Sequence, residues 1–145
     1  MKSFEHILVP FNGTPASHKA FRKAVSIAEE SGADITILTC IEERPTFGFF
    51  KTKTTKAEFE KEKKLVEKQQ AELDSYAAKK SINCKLKIFK HSMASQVILS
   101  YVKQHDVDLV MMGKNKITTI AERSVYHSTI ENVFRNIRCS LLIIQ

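Results

Sequence analysis

Short apolar runs alternate with amphipathic stretches along almost the whole chain. Five runs rich in Ile, Leu, Val and Met have the pattern of strands: His6–Pro10, Ala33–Ile41, Asn83–Lys90, Asp108–Met112 and Ser140–Ile144. Between them, apolar side chains recur every three or four residues, which predicts four helices over about Pro15–Glu30, Lys56–Lys80, Ser92–His105 and Val125–Ile137. Strand and helix therefore follow each other in strict order.

This order predicts the α/β class: a single doubly wound domain over residues 1–145, with a five-stranded parallel sheet and helices on both faces. Thr14 is expected to cap the first helix, and Ser31-Gly32 to end it. His105 is interpreted as an end-of-helix residue rather than a catalytic base. In the third strand, Cys84, Leu86 and Ile88 alternate with Lys85, Lys87 and Lys90, which predicts a sheet edge with one wet face.

Ligands of such sheets bind where the carboxyl ends of the strands meet, at the point where the strand order reverses. The fourth run stops at Gly113 and opens into a polar loop that continues to Lys116. The loops expected at the same edge are Asn12–Thr14, Cys40–Glu42, His91-Ser92 and the helix start near His127-Ser128-Thr129. Backbone N–H groups and a helix dipole there are suited to holding a phosphate.

Charge and hydropathy narrow the function classes. The net charge is +7, and residues 51–90 contribute +6 of it, from twelve Lys against six Asp or Glu. Acids and bases interleave over Lys56–Lys80, which is typical of a solvated helix face, and aromatic residues do not interleave with the lysines as in single-strand binders. We therefore interpret this region as a solvated helix face rather than a nucleic-acid-binding surface. No run of about 18 apolar residues and no signal-peptide pattern occurs, which predicts no membrane association and a cytoplasmic location.

Two further features leave alternatives open. Cys40, Cys84 and Cys139 are odd in number and far apart, and we interpret them as buried reduced thiols, against a redox or metal role. The long segment Glu42–Thr55 carries Phe47, Phe49 and Phe50. These phenylalanines fit a lid or partner surface, or simple packing over the sheet.

The chain resembles the universal stress protein family. The likeness rests on the turn Val9-Pro10-Phe11-Asn12-Gly13-Thr14 and on two closing segments, Ser128–Val133 and Cys139–Ile144, and it extends over about Phe4 to Ile144. The resemblance implies an adenine nucleotide alpha hydrolase-like fold with strand order 3-2-1-4-5. It also implies a cytoplasmic role in stress tolerance and a homodimer formed through the last strand, Ser140–Ile144. Asn12 would then lie beside Met112 and Gly113, at the family's nucleotide position.

The chain departs from the pattern of ATP-binding members, which carry Gly-x-x-Gly and, about nine residues later, Gly-Ser or Gly-Thr. Gly113 and Ser128 fit the first and last places, but Lys116 and His127 stand where glycines belong. Asn12 replaces the Asp of the turn, and His91 stands where the family often has glycine. The resemblance implies a degenerate site without catalytic or metal-binding residues; its positions are Asn12, Cys40, Ile41, Met112, Gly113, Lys116, His127, Ser128 and Thr129.

Lys116 and His127 do not adopt positive φ freely and fill space beside a phosphate, and Asn12 lacks the charge that a hard cation prefers. The leading hypothesis is therefore a non-catalytic homodimer without a cofactor, which does not bind ATP tightly and acts by protein contact or by sensing a metabolite. The alternative is an ATP- or AMP-binding member, with Mg²⁺ and slow hydrolysis. For that alternative, Lys114, Lys116, Arg123 and His127 are candidate phosphate donors.

Overall fold

The computed structural model describes residues 3–42, 56–114 and 129–145. In these ranges the chain forms β1 His6–Pro10, α1 Pro15–Ser31, β2 Asp34–Glu42, α2 Lys56–Ala78, β3 Cys84–His91, α3 Ala94–Gln104, β4 Leu109–Gly113, α4 at residues 129–136 and β5 Ser140–Ile144. The predicted α/β alternation is confirmed. Most of the predicted loop with Phe47, Phe49 and Phe50, and the predicted start of the last helix, lie outside the described residues.

All five strands run parallel in the order β3-β2-β1-β4-β5. Ile7 of β1 pairs with Ile35 of β2 on one side and with Leu109 of β4 on the other. The strand order therefore reverses between β1 and β4, as the family resemblance implies. The carboxyl ends of these two strands lie side by side, and β3 and β5 form the two sheet edges.

The helices cover the sheet on both faces because the side chains of each strand point alternately to opposite sides. Ile7 and Val9 of β1 share one core cluster with Phe21 of α1 and Leu73 of α2. On the opposite face, Leu8 joins the second cluster: Leu8, Leu38, Val97, Ile98, Tyr101, Val107, Val110, Met112 and Val133. The near-continuous burial of β1, β2 and β4 explains why their sequences read as unbroken apolar runs.

Both predicted limits of α1 are confirmed. Thr14 accepts a hydrogen bond from the Ser17 backbone N–H (3.3 Å), and Pro15 occupies the first helical position. Gly32 ends the helix with a φ of +76°, a conformation that glycine adopts without a steric penalty, and donates its N–H to the Ala28 carbonyl. His105 is the C-cap of α3, as predicted.

The edge strand β3 departs from prediction in one detail. Lys85 and Lys87 are exposed, but Lys90 lies on the opposite face, where its Nζ is 4.8 Å from the centre of the Phe59 ring of α2. The reason is parity, since Lys90 is an even number of residues from Leu86. Leu86 itself is 39% exposed, so α2 covers that face only in part.

The cysteines are free thiols, but the prediction that they are buried is wrong. Cys40, Cys84 and Cys139 are each only partly buried. Cys84 opens the edge strand β3, and Cys139 directly precedes the edge strand β5, where neighbours on one side are missing. Among the helices described, none is long and apolar enough to cross a membrane.

Candidate ligand-binding site

The turn after β1 folds back on itself through the side chain of Asn12. Its Oδ1 accepts hydrogen bonds from the Thr14 backbone N–H (3.3 Å) and from the Thr14 hydroxyl (2.7 Å). Gly13, between them, has a φ of +82°, which favours glycine. Because a backbone N–H can only donate, the Asn12 atom that faces Thr14 is the oxygen. The amide nitrogen of Asn12 is therefore directed away from the turn.

Gly113, at the end of β4, packs directly against the start of α1. A Cβ atom added to Gly113 would lie 2.7 Å from the Ser17 backbone nitrogen and closer still to the Ala16 carbonyl. Gly113 does not have a positive φ, so the close approach of strand and helix, not backbone flexibility, is what requires a glycine. Because Gly113 has no side chain, the end of β4 can lie in direct contact with the first turn of α1.

A cavity of about 470 Å³ opens at this edge of the sheet, which is the size of a small-molecule site. It lies between the carboxyl ends of β1, β2 and β4, the first turns of α1 and α3, and residues 129–130 of α4. Its walls are largely apolar, with a few polar groups from the strand ends. The lining residues are Pro10, Phe11, Asn12, Ser17, Leu38, Cys40, Glu42, Ala94, Ile98, Met112, Gly113, Thr129 and Ile130.

The structure brings part of the predicted set together. The residues of that set that line the cavity are Asn12, Cys40, Met112, Gly113 and Thr129. Ile41 is buried at 3% exposure and is not part of the lining, because alternation along β2 directs its side chain to the face opposite Cys40. Lys116, His127 and Ser128 lie outside the described residues.

Sequence reasoning missed several lining residues, and a periodicity signal was available for most of them. Leu38 and Glu42 lie two residues on either side of Cys40, hence on the same face of β2. Ala94 and Ile98 are four residues apart on α3, hence on the same face of that helix. Ser17 had no such signal, because only the packing of Gly113 against α1 brings its position to the cavity.

Cys40 is the one thiol that lines the cavity in the described residues. Its Sγ–H donates to the His91 carbonyl at 3.8 Å. Burial and, to a smaller extent, the negative charge of Glu42 raise the pKa of this thiol to about 11. The thiol is therefore protonated at neutral pH, and a protonated thiol is a poor nucleophile and a poor metal ligand.

His91 ends β3 and helps to start α3. Its Nδ1 accepts a hydrogen bond from the Met93 backbone N–H at 2.9 Å. Since the backbone N–H is the donor, Nδ1 carries no proton in this arrangement. His91 therefore organises the entry into α3, and it is not part of the cavity lining.

The buried side-chain amide of Gln70 connects α2 to β2 and β3 and, through Thr39, to the turn after β1. Gln70 is 1% exposed, and its Nε2 donates to the Thr39 hydroxyl (3.2 Å) and to the Lys87 carbonyl (3.0 Å). The Thr39 hydroxyl in turn donates to the Phe11 carbonyl at 2.8 Å. These hydrogen bonds connect α2, β2 and β3 to the residue that follows β1.

No group of three or more His, Cys, Asp or Glu side chains suited to a metal occurs in the part of the chain described.

Comparison with known protein families identifies the family to which this chain belongs. The sequence model of the Universal stress protein family matches residues 3–145. The chain belongs to the universal stress protein family. A putative universal stress protein of Staphylococcus epidermidis is 27% identical to it over 149 residues, covering 100% of this chain and 86% of that protein.

Solved structures of universal stress proteins share the fold. The universal stress protein UspA of Lactobacillus plantarum matches with a TM-score of 0.75 and 24% identity, over 98% of each chain. A universal stress protein of Archaeoglobus fulgidus in complex with dAMP matches with a TM-score of 0.67 and 12% identity, over 100% of each chain. At these identities the likeness establishes the fold of this chain.

Proposed function

We propose that this universal stress protein is a non-catalytic cytoplasmic homodimer whose cavity takes an adenine nucleoside or its monophosphate and does not bind ATP tightly. The observation that carries the proposal is that Gly113 and Asn12, the two residues nearest the point where the strand order reverses, are both engaged in contacts within the protein. Gly113 is packed against the first turn of α1, and the Oδ1 of Asn12 accepts two hydrogen bonds from Thr14 in the turn after β1. A cavity remains, but both groups already have structural roles.

The shape of the cavity supports a small ligand. Its volume of about 470 Å³ and its walls of Leu38, Ile98 and Met112 suit a planar, largely apolar ring. The Archaeoglobus fulgidus protein with the same fold is in complex with dAMP. A ligand of the adenosine class is the proposal that fits both observations.

The same residues argue against tight ATP binding. A triphosphate needs either bare backbone or cations to offset its charge, and Mg²⁺ prefers carboxylate ligands. Asn12 is neutral, and Lys116 and His127 stand at the two positions where ATP-binding members have glycine. In the described residues, the one carboxylate of the cavity lining is Glu42, at the end of β2, whereas Asn12 lies in the turn after β1.

Thermal unfolding with and without ligand tests the ligand class. We expect AMP or adenosine at about ten times its dissociation constant to raise the melting temperature by about 3 °C, because a ligand held only by the folded state stabilises it. ATP with Mg²⁺ is expected to bind no more tightly than AMP. Isothermal titration calorimetry on the same samples gives the dissociation constants.

Asn12→Asp is the matched control for this experiment, because it adds one charge and leaves an oxygen to accept the bonds from Thr14. We expect Mg²⁺ to increase the ATP affinity of this variant but not that of the wild type. Micromolar, Mg²⁺-dependent ATP binding by the wild type would contradict the proposal. It would favour the alternative function, an ATP-binding member with slow hydrolysis, which phosphate release then measures directly.

Exposed apolar side chains beside β5 support the proposed homodimer. β5 is an edge strand, and Leu142 within it is 39% exposed. Phe134, on the helix that leads into β5, is 69% exposed. A bare strand edge flanked by such side chains suits pairing with a second copy.

Phe134→Glu tests the dimer. We expect this substitution to weaken dimerisation by about 30-fold or more, because a large apolar anchor at an interface contributes strongly and a buried unpaired charge opposes association. Leu65→Glu, at a 56% exposed position on α2, is the control and should leave the dimer intact. Light scattering after size-exclusion chromatography reports the masses, and a wild-type monomer at micromolar concentration would contradict the proposal.

A further inference from the structure

In the described residues, the strand β3 forms one edge of the sheet and pairs on one side only, with β2. Ile35 of β2 pairs with Cys84 and donates its N–H to the Asn83 carbonyl at 3.1 Å. In a parallel ladder, this pattern directs the backbone groups of the odd-numbered residues of β3 towards β2. The N–H and C=O groups of Leu86 and Ile88 therefore point away from the sheet and are placed to pair with a further strand.

The side chains beside this open edge differ between the two faces of the sheet. On one face Lys85 and Lys87 are exposed, and neither belongs to the two ion pairs found in the described part of the chain. Phe89 shares that face, with its ring centre 6.3 Å from that of Tyr101 of α3. On the opposite face, towards α2, Leu86 is 39% exposed. One face therefore presents positive charge, and the other presents apolar surface.

The charges near the two ends of β3 limit this surface. Burial and, to a smaller extent, the charges of Asp74 and Asp34 raise the pKa of the Cys84 thiol to about 12. These carboxylates act on the start of the strand, where a further acidic side chain would be repelled. At the other end, the Lys90 ammonium lies over an aromatic ring of α2. The open edge available to a partner is therefore Lys85–Phe89.

We propose that the open edge of β3 binds an extended segment of a partner protein in which apolar and acidic residues alternate. Successive side chains of a strand point to opposite faces, so an added strand places every second side chain beside Lys85 and Lys87 and the others beside Leu86. Opposite charges on neighbouring strands stabilise their pairing, and like charges destabilise it. A second copy of β3 is disfavoured for this reason, because its own lysines would lie beside these lysines.

Fluorescence anisotropy on the full chain, with a labelled peptide of alternating valine and glutamate about eight residues long, tests the inference. We expect this peptide to bind at least about tenfold more tightly than one of the same composition with all its glutamates in one block. The reason is that only the alternating order places acidic and apolar side chains on separate faces of a strand. N-methylation of the peptide nitrogens should abolish binding, because strand addition depends on backbone hydrogen bonds.

Reversing the charge of the edge, with Lys85→Glu and Lys87→Glu combined, tests the role of the lysines. This variant should bind the valine–glutamate peptide at least about tenfold more weakly and should prefer a valine–lysine peptide, because opposite charges then meet again. The matched control combines Lys61→Glu with Lys68→Glu, the same change of charge at exposed positions on α2. It should bind both peptides as the wild type does.

The inference is overturned if the block peptide binds as tightly as the alternating one, or if the double variant at Lys85 and Lys87 keeps the wild-type affinities. It is also overturned if the wild type does not bind the alternating peptide at about millimolar concentration. Peptide binding that weakens as the protein concentration rises would assign the edge to a second copy of the chain, against the proposal.

Discussion

Gly113→Ala is expected to destabilise the protein by about 3 kcal/mol, equivalent to a melting temperature lower by roughly 6–12 °C. The added methyl group would enter the space held by the Ala16 carbonyl and lie 2.7 Å from the Ser17 nitrogen. Both neighbours are backbone atoms of the capped first turn of α1, so neither yields by rotating a side chain. Either β4 or the start of α1 must shift, and urea unfolding measures the cost.

The control is Lys114→Ala, one residue further along the chain and exposed. It should change the free energy of unfolding by no more than about 0.5 kcal/mol, which is usual for surface substitutions. A Gly113→Ala protein as stable as this control would show that strand and helix separate without cost. Because the same contact forms one wall of the cavity, Gly113→Ala should also weaken ligand binding at temperatures where the variant is folded.

Gln70→Glu is expected to cost about 3–5 kcal/mol at neutral pH, although the two side chains have almost the same shape. The amide donates to two acceptors, the Thr39 hydroxyl and the Lys87 carbonyl, and is 1% exposed. A carboxylate there would present a buried negative charge to oxygen atoms in place of a donor. The loss should be visible by urea unfolding monitored by circular dichroism.

The pH dependence identifies the cause. Burial would raise the pKa of a carboxyl group at this position above its unfolded value of about 4.3. With the folded-state pKa raised, the variant keeps its stability below about pH 4 and loses it progressively as the pH rises towards the folded-state pKa. The difference from the wild type should therefore be smaller at about pH 4.5 than at about pH 7.5.

Gln69→Glu is the control for charge, because it makes the same change one residue away at a partly exposed position. We expect it to cost less than about 1 kcal/mol and to show little dependence on pH in this range. Equal losses in the two variants would contradict a specific role for the buried amide. A larger loss at Gln70 would show that the hydrogen bonds of its buried amide to β2 and β3 stabilise the fold.

The fold was predictable from the chain because its determinants are local and periodic. Apolar runs such as His6–Pro10 identify buried strands, and Thr14 with Pro15 and Gly32 mark the limits of α1. The edge position of β3 followed from its alternating lysines. These signals lie within a few residues of one another, so they do not depend on the rest of the molecule.

The candidate site was predictable only where the topology alone brings residues together. Asn12 and Gly113 follow from the strand-order reversal, since Gly113 ends β4 and Asn12 lies in the turn after the neighbouring strand β1. Ile41 lies next to Cys40 near the end of β2, but its side chain is on the face of the sheet opposite the cavity. The close contact of Gly113 with the first turn of α1 could not be predicted, because it depends on how α1 packs against the end of β4.

The sequence by itself determined the class of fold, the order of its elements and the edge of the sheet at which the cavity opens. These depend on hydrophobic periodicity and on chain connectivity, both of which are readable along the chain. Only the tertiary structure decided how Gly113 meets α1, how Gln70 reaches Thr39, and which face of β2 turns Glu42 to the cavity. Those outcomes depend on distances between residues remote in sequence, which packing of the whole domain sets.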